Sequence, residues 1–207
     1  MTDLITLDEA REFLTISDTA DDSLIAALVL AASASARNYC GRDFEVDATQ
    51  SATARYFTPE SCFSAKIDDC WSITAVATDD ADDGTWSTSW ASTDWYAMSA
   101  DKASGQSPYG GSGWPYTHLH AVESREFPYV ARPALKVTAK WGWTALPSAV
   151  NLAVKMLVNE AYKARDGGYD TFTTDGGFTI IRGNRVVRDL LAPYRRGAAG
   201  DGRFVIG

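Results

Sequence analysis

The chain has 207 residues, 45% of them hydrophobic, and a formal net charge of −8. That length supports one substantial core, or a core with an attached lobe, and the acidity argues against a general nucleic-acid binder. No apolar run approaches the roughly 20 residues of a membrane span, and residues 1–20 lack the basic start and apolar core of a secretory signal, so the expectation is a protein made in a cytoplasm without a membrane partner.

Residues 7–14 read as a short helix. Thr6 is a good N-cap, and Glu9 sits where a capping box wants it. Residues 20–39 read as a long helix, with Thr19 as its cap and Asp21 and Asp22 complementing the positive end of its dipole. Leu24, Ile25, Leu28, Ala32, Ala36 and Tyr39 recur at helical spacing, and Gly41 supplies a left-handed stop. The stretch Ala31–Ala36 is nearly all Ala and Ser, so another backbone can approach there. Ala31, Ala32 and Ser35 are the candidates for contact with a neighbouring subunit.

Residues 44–141 change character, with Thr, Val, Trp and Tyr rising between turn residues. Ser72–Thr78 reads as a strand, Asp79–Gly84 as an acidic turn, Thr85–Trp90 as the returning strand and Trp95–Met98 as another. Residues 101–116 read as a long exposed loop. Leu135–Trp141 alternates as a half-buried strand should. Residues 147–165 then form a second strong helix, with Pro147 at its first position and Gly167-Gly168 beyond its end. Phe178–Ile181 reads as a short strand, and Asn184 caps a last helix that stops near Pro193. The fold class expected is α+β. It comprises a small helical bundle (1–43 with 142–194), an inserted β-rich region (44–141), a C-terminal helix, and a flexible tail over 195–207.

Chemistry is sparse. The acidic turn fails as a calcium loop, because Ala81 and Trp90 fall at its third and twelfth positions. His118 and His120 point the same way if they lie on a strand, with Glu123 in reach, but an ordinary polar segment is the reading preferred over a metal site. Trp86, Trp90 and Trp95 raise glycan binding as an alternative to packing. There is no phosphate loop, dinucleotide fingerprint or nucleophile elbow. No catalytic residue, cofactor or metal is therefore expected. The three cysteines, Cys40, Cys62 and Cys70, read as free thiols rather than a disulfide framework, with a Cys62–Cys70 pair as the alternative.

The charge is unevenly spread. Residues 1–130 hold 21 acids and 7 bases, a net of −14, and residues 131–207 hold 6 acids and 12 bases, a net of +6. Such a split suits acid-to-base assembly between copies, or a basic end presented to an acidic partner; the alternative is that the signs mix on folding.

Three segments resemble the head-to-tail connector (adaptor, or head-completion) proteins of long-tailed double-stranded DNA bacteriophages. The first runs from Leu4-Ile5-Thr6-Leu7-Asp8-Glu9-Ala10 through Asp22-Ser23-Leu24-Ile25 to Asn38-Tyr39-Cys40-Gly41-Arg42. The second is Val137–Trp143 with Leu146-Pro147, and the third is Asp189–Arg196. The resemblance implies a structural virion protein of the neck, assembled in the host bacterial cytoplasm. It implies a ring of copies, most often twelve, docked beneath the portal. The ring completes the DNA channel, offers a platform to the next neck or tail-terminator protein, and lets DNA pass without sequence-specific binding. On that reading Arg182, Arg185, Arg188, Tyr194, Arg195, Arg196, Arg203, Phe204, Val205 and Ile206 are candidates for portal contact, and Asp21 and Asp22 for the channel lumen. The alternatives are another neck or tail structural protein, such as a tail terminator, or a glycan-binding module.

Overall fold

The computed structural model describes residues 3–46, 49, 51–99, 114–122, 124–165 and 184–196. Four α-helices and six strands occur among them: α1 (Leu7–Leu14), α2 (Asp22–Cys40), β1 (Thr53–Phe57), β2 (Ser64–Thr78), β3 (Thr88–Trp90), β4 (Trp95–Met98), β5 (Tyr116–Ala121), β6 (Leu135–Trp141), α3 (Ser148–Ala164) and α4 (Arg185–Leu191), followed by a 3₁₀ turn over Ala192–Tyr194. This is an α+β chain, as expected. It divides into two compact units, one of Met1–Phe44 with Leu146–Ala198 and the other of Glu45–Ala145 with Ala199–Gly207.

In the helical unit, α1 starts with a complete capping box. The Thr6 side chain accepts from the Glu9 backbone N–H, and the Glu9 carboxylate accepts from the Thr6 N–H. Helix α2 begins two residues later than Thr19 would place it. Asp21 occupies its N-cap without a side-chain cap hydrogen bond, and only the Thr19 carbonyl takes part, accepting from the Asp22 N–H. Gly41 ends α2 at φ +63°, as its freedom from Cβ sterics allows. Helix α3 likewise begins at Ser148, one residue after Pro147. On α4 the Asn184 side chain does accept from the Val187 N–H. Ile25, Val29, Ala36, Val150, Val154, Leu157, Val158, Val187 and Leu191 are buried in this unit. Full burial of one such large apolar side chain contributes about 1.5–3 kcal/mol.

Helix α2 also qualifies the reading that no segment could span a membrane. By length and composition it is apolar enough to do so. Its buried side, however, carries Ile25, Val29, Ala36 and the guanidinium-bearing Arg37, so in this fold it is a core helix.

The sheet unit is one antiparallel sheet of order β1-β6-β2-β5-β4, with β3 pairing to β2. On β6, Leu135, Val137, Ala139 and Trp141 are buried while Lys136, Thr138 and Lys140 are half-buried, which is the alternation expected. Ala65, Ile67, Val76, Leu119 and Phe127 complete that core. Strand β2 is fifteen residues long, against the seven expected. Register shifts at Lys66/Cys70, Cys70/Ser72 and Ile73/Ala75 break its alternation, so periodicity finds only its last part. The returning strand is shorter than expected, starting at Thr88 rather than Thr85, because Asp83 folds back on Thr85, accepting from its N–H and hydroxyl. The proposed 101–116 loop ends early, since Tyr116 already belongs to β5; residues 101–113 and the Phe178–Ile181 strand lie outside the described residues.

Candidate assembly surfaces

The N-terminus of α2 gathers charge from both ends of the chain. Tyr162 of α3 donates its hydroxyl to Asp21 at 2.5 Å, and Arg165 donates at 3.1 Å. Those two donors lower the Asp21 carboxyl below its usual range, the tyrosine first. The same hydrogen bond raises Tyr162. Asp22 lies 3.4 Å from Arg11, which also donates to the Ser17 and Asp18 carbonyls. Both acids assigned to a lumen thus have intramolecular partners.

Glu9 makes a second such link. Besides capping α1, it accepts from Asn151 at 3.1 Å and pairs with Lys155 at 3.3 Å, both on α3. The Thr6 N–H foremost, then Asn151 and Lys155, hold its carboxyl down to about 2, against an opposing push from burial. These links show the uneven charge mixing within the helical unit.

The small-residue stretch of α2 divides between two sides. Ala32 is 7% exposed and Ser33 accepts from the Leu4 N–H, so both face the unit's own interior. Ala32 therefore does not offer itself to a neighbouring subunit, because helical spacing puts it on the same stripe as Val29 and Ala36. Ala31 is exposed and Ser35 half-buried, beside Leu30 at 53% exposure.

The C-terminal candidates also separate. Arg185 and Arg188 are exposed on α4, and among the described residues their pairings are long ones to Asp189 at 3.5 and 3.7 Å. Tyr194 turns back onto α2: its carbonyl accepts from the Arg42 side chain at 2.7 Å, and its ring meets Phe44 edge-on at 6.3 Å. Burial raises its hydroxyl pKa. The Arg196 N–H donates to the Cys40 carbonyl at 2.7 Å, and the Arg195 guanidinium lies 5.2 Å from the Tyr39 ring. Arg195 and Arg196, placed in a flexible tail by sequence, are thus tied to the end of α2, where orphan helix carbonyls need donors. Arg182, Arg203, Phe204, Val205 and Ile206 lie outside the described residues.

In the sheet unit, His118 and His120 do share one side of β5, ring centroids 6.4 Å apart. His120 stacks on Tyr96 at 5.2 Å, and burial lowers its pKa; Glu123 lies outside the described residues. The three tryptophans form no shared platform. Trp90 is buried on Phe127 with its N–H on Thr78, Trp86 leans on Tyr56, and Trp95 packs against the core. None of the three cysteines is in a disulfide, and burial raises the Cys40 thiol to about 12. The sequence picks out Trp141-Gly142-Trp143 as part of the second connector-like segment, but not the tight backbone corner that it forms. Gly142 has φ +91° and packs so close that a Cβ would meet the Glu45 carbonyl at 2.3 Å. The Gly142 N–H donates to the Asp69 carbonyl at 2.6 Å, while the Trp143 N–H donates to the Glu45 carbonyl and its indole to the Asp69 carboxylate.

Among the described residues these contacts join elements to one another. Residues 4–65 match the family model described as Phage gp6-like head-tail connector protein, which bears out the resemblance drawn from the opening helices. No curated protein matches the chain. Among solved structures, the fold is shared with a chain of the neck of an empty GTA particle computed with C6 symmetry. The TM-score is 0.51 at 17% identity, covering 93% of this chain and 89% of that one. A chain of the virion of a native gene transfer agent (GTA) particle gives the same TM-score and coverage at 19% identity.

Proposed function

We propose that this chain is a structural protein of a phage-type neck, one of a ring of identical copies beneath the portal that joins head to tail and completes the DNA channel. The observation that supports this most is the family match over residues 4–65. That span holds both opening helices with their caps, and the fold likeness extends over 93% of the chain to a neck component. A ring of twelve is compatible with sixfold averaging of that particle. On this reading the helical bundle is the scaffold, and the exposed arginines of α4 with the segment beyond Arg196 meet the portal. The next neck or tail-terminator protein docks on the opposite rim, and DNA passes without sequence-specific contact. The chain supplies no catalysis. The acids lining the channel would be sought among exposed ones such as Asp8, since Asp21 and Asp22 are engaged within the subunit.

The test is electron cryomicroscopy of particles carrying a tagged copy of this chain. Density assigned to it is expected as a ring at the vertex where genome leaves; finding the tag elsewhere, or absent, overturns the reading. Particles lacking the chain are expected to accumulate as filled heads without tails.

A further inference from the structure

We propose that the side of the sheet turned away from its core receives the acidic β2–β3 hairpin of a second copy of this chain. This deepens the ring reading, which it needs only for the repetition of the contact around a circle.

The residues 45–145 hold 13 acids and 7 bases, a net of −6. Against that trend, Lys66, Lys136 and Lys140 stand on the outer side of the sheet; Asp69, which alternation places on the same side as Trp71, is buried with its carboxylate accepting from the Trp143 indole, and Glu60 acts on His120 at the far strand. Lys136 and Lys140 stand on β6 opposite the buried Leu135, Val137, Ala139 and Trp141. Register places Tyr56 beside Lys136, Ser72 beside Lys140, and Lys66 beside His118, with no Asp or Glu at any paired position on that side. None of the three lysines has an ion pair among the described residues. At about 3.3 Å per residue, Lys136 and Lys140 are roughly 13 Å apart along the strand. Aromatic rings flank them: Lys140 Nζ lies 4.9 Å from the Trp71 ring centroid, and Tyr56, 48% exposed, packs on Trp86 at 4.5 Å. Cations set among half-exposed aromatics are the makings of an anchor for an acidic partner.

The charge of the whole chain selects that partner. A nucleic acid approaching a protein of net −8 is repelled at long range. Another copy brings its own acid in a fixed shape. The hairpin tip holds Asp79, Asp80, Asp82 and Asp83 against the single Arg132, which pairs with Asp79 and Asp82. The buried Asp79 carboxylate accepts the N–H groups of Asp83 and Gly84, so the tip is rigid before it meets anything. Asp80 is exposed with no hydrogen bond or ion pair among the described residues. Arg132 holds the hairpin, and among the described residues no hairpin acid pairs with a lysine of its own sheet. Face and hairpin are different surfaces, so the contact is head-to-tail, the kind that closes rings.

Sedimentation velocity on the full chain tests this at about 50 and about 500 mM salt, where screening separates surface charge pairing from apolar contact. Wild type is expected to self-associate at the lower salt and to dissociate at the higher. Lys136→Glu/Lys140→Glu should weaken association at least about tenfold, and so should Asp80→Lys, a change that leaves the Asp79–Arg132 pair in place. Mixing these two variants should give a 1:1 pair that neither forms alone, and nothing larger, because one keeps an intact hairpin and the other an intact face. A wild type that is monomeric at both salts, variants that associate like wild type, or a mixture that forms no such pair overturns the proposal. So does a labelled DNA duplex whose binding, rather than self-association, depends on Lys136 and Lys140. Failure here leaves the neck reading standing, since particle imaging decides that separately.

Discussion

Single residues fix the two units in ways their neighbours cannot replace. Gly142→Ala places a methyl 2.3 Å from the Glu45 carbonyl at a backbone angle that L residues avoid. The expected loss is about 2–4 kcal/mol, seen as a lower urea midpoint in Trp fluorescence. Gly41→Ala is the milder comparison: φ is also positive, but the nearest atom is 3.6 Å away, so about 1–2 kcal/mol is expected. Equal losses would mean that close packing at Gly142 contributes nothing. At Glu9 the argument runs through protons. Its folded pKa, about 2, lies below its ordinary 4.5, so the ionised carboxylate stabilises the fold fully above pH 4.5, and that contribution disappears as pH falls toward 2. Glu9→Gln keeps a capping-box side chain without the charge. The Tm gap between wild type and Glu9→Gln should shrink steadily from pH 4.5 to 2; a gap that stays constant over that window would show that the links to Thr6 and Lys155 carry no linkage.

Elements were legible where their signals are local. Thr6 with Glu9, Asn184 with Val187, Gly41, and the alternation of Leu135–Trp141 each act within a few residues, and each is found in the fold. Signals that depend on distant partners were not legible. Glu9 to Lys155 and Asp21 to Tyr162 span more than 140 residues in sequence, and nothing near either acid names its partner. Strand β2 hid its first half because three register shifts scramble the period-two pattern, and β5 hid behind the polar look of Thr117, His118 and His120. Of the candidate surfaces, the sequence could place residues on elements but not on sides, which is why Ala32 and Tyr194 read as outward-facing. The two threonines proposed as caps separate the cases experimentally. Thr6→Ala removes a side-chain acceptor and should cost about 1 kcal/mol, whereas Thr19→Ala, whose hydroxyl caps nothing, should stay within about 0.5 kcal/mol. Equal costs in chemical denaturation would restore Thr19 as a cap.

At the scale of the whole molecule, Met1–Phe44 and Leu146–Ala198 build one unit, and the intervening Glu45–Ala145 belongs to the other. The third segment of the connector resemblance closes the first: the Arg196 N–H and the Tyr194 carbonyl tie the last described turn to Cys40 and Arg42 at the end of α2. This separates a folding role from an assembly role within a few residues. A chain ending at Gly197 keeps Arg196 on the Cys40 carbonyl, so its unfolding midpoint should match wild type. If the segment beyond Arg196 meets the portal, that same chain should fail to co-sediment with portal-bearing heads. A chain ending at Pro193 loses both ties and should be destabilised by about 1–3 kcal/mol, the cost of leaving a buried polar group without its partner. Retained attachment by the chain ending at Gly197 would move the portal contact to the exposed Arg185 and Arg188 of α4, where Arg185→Glu/Arg188→Glu should then abolish it with little change in stability, since neither side chain has a partner closer than 3.5 Å among the described residues.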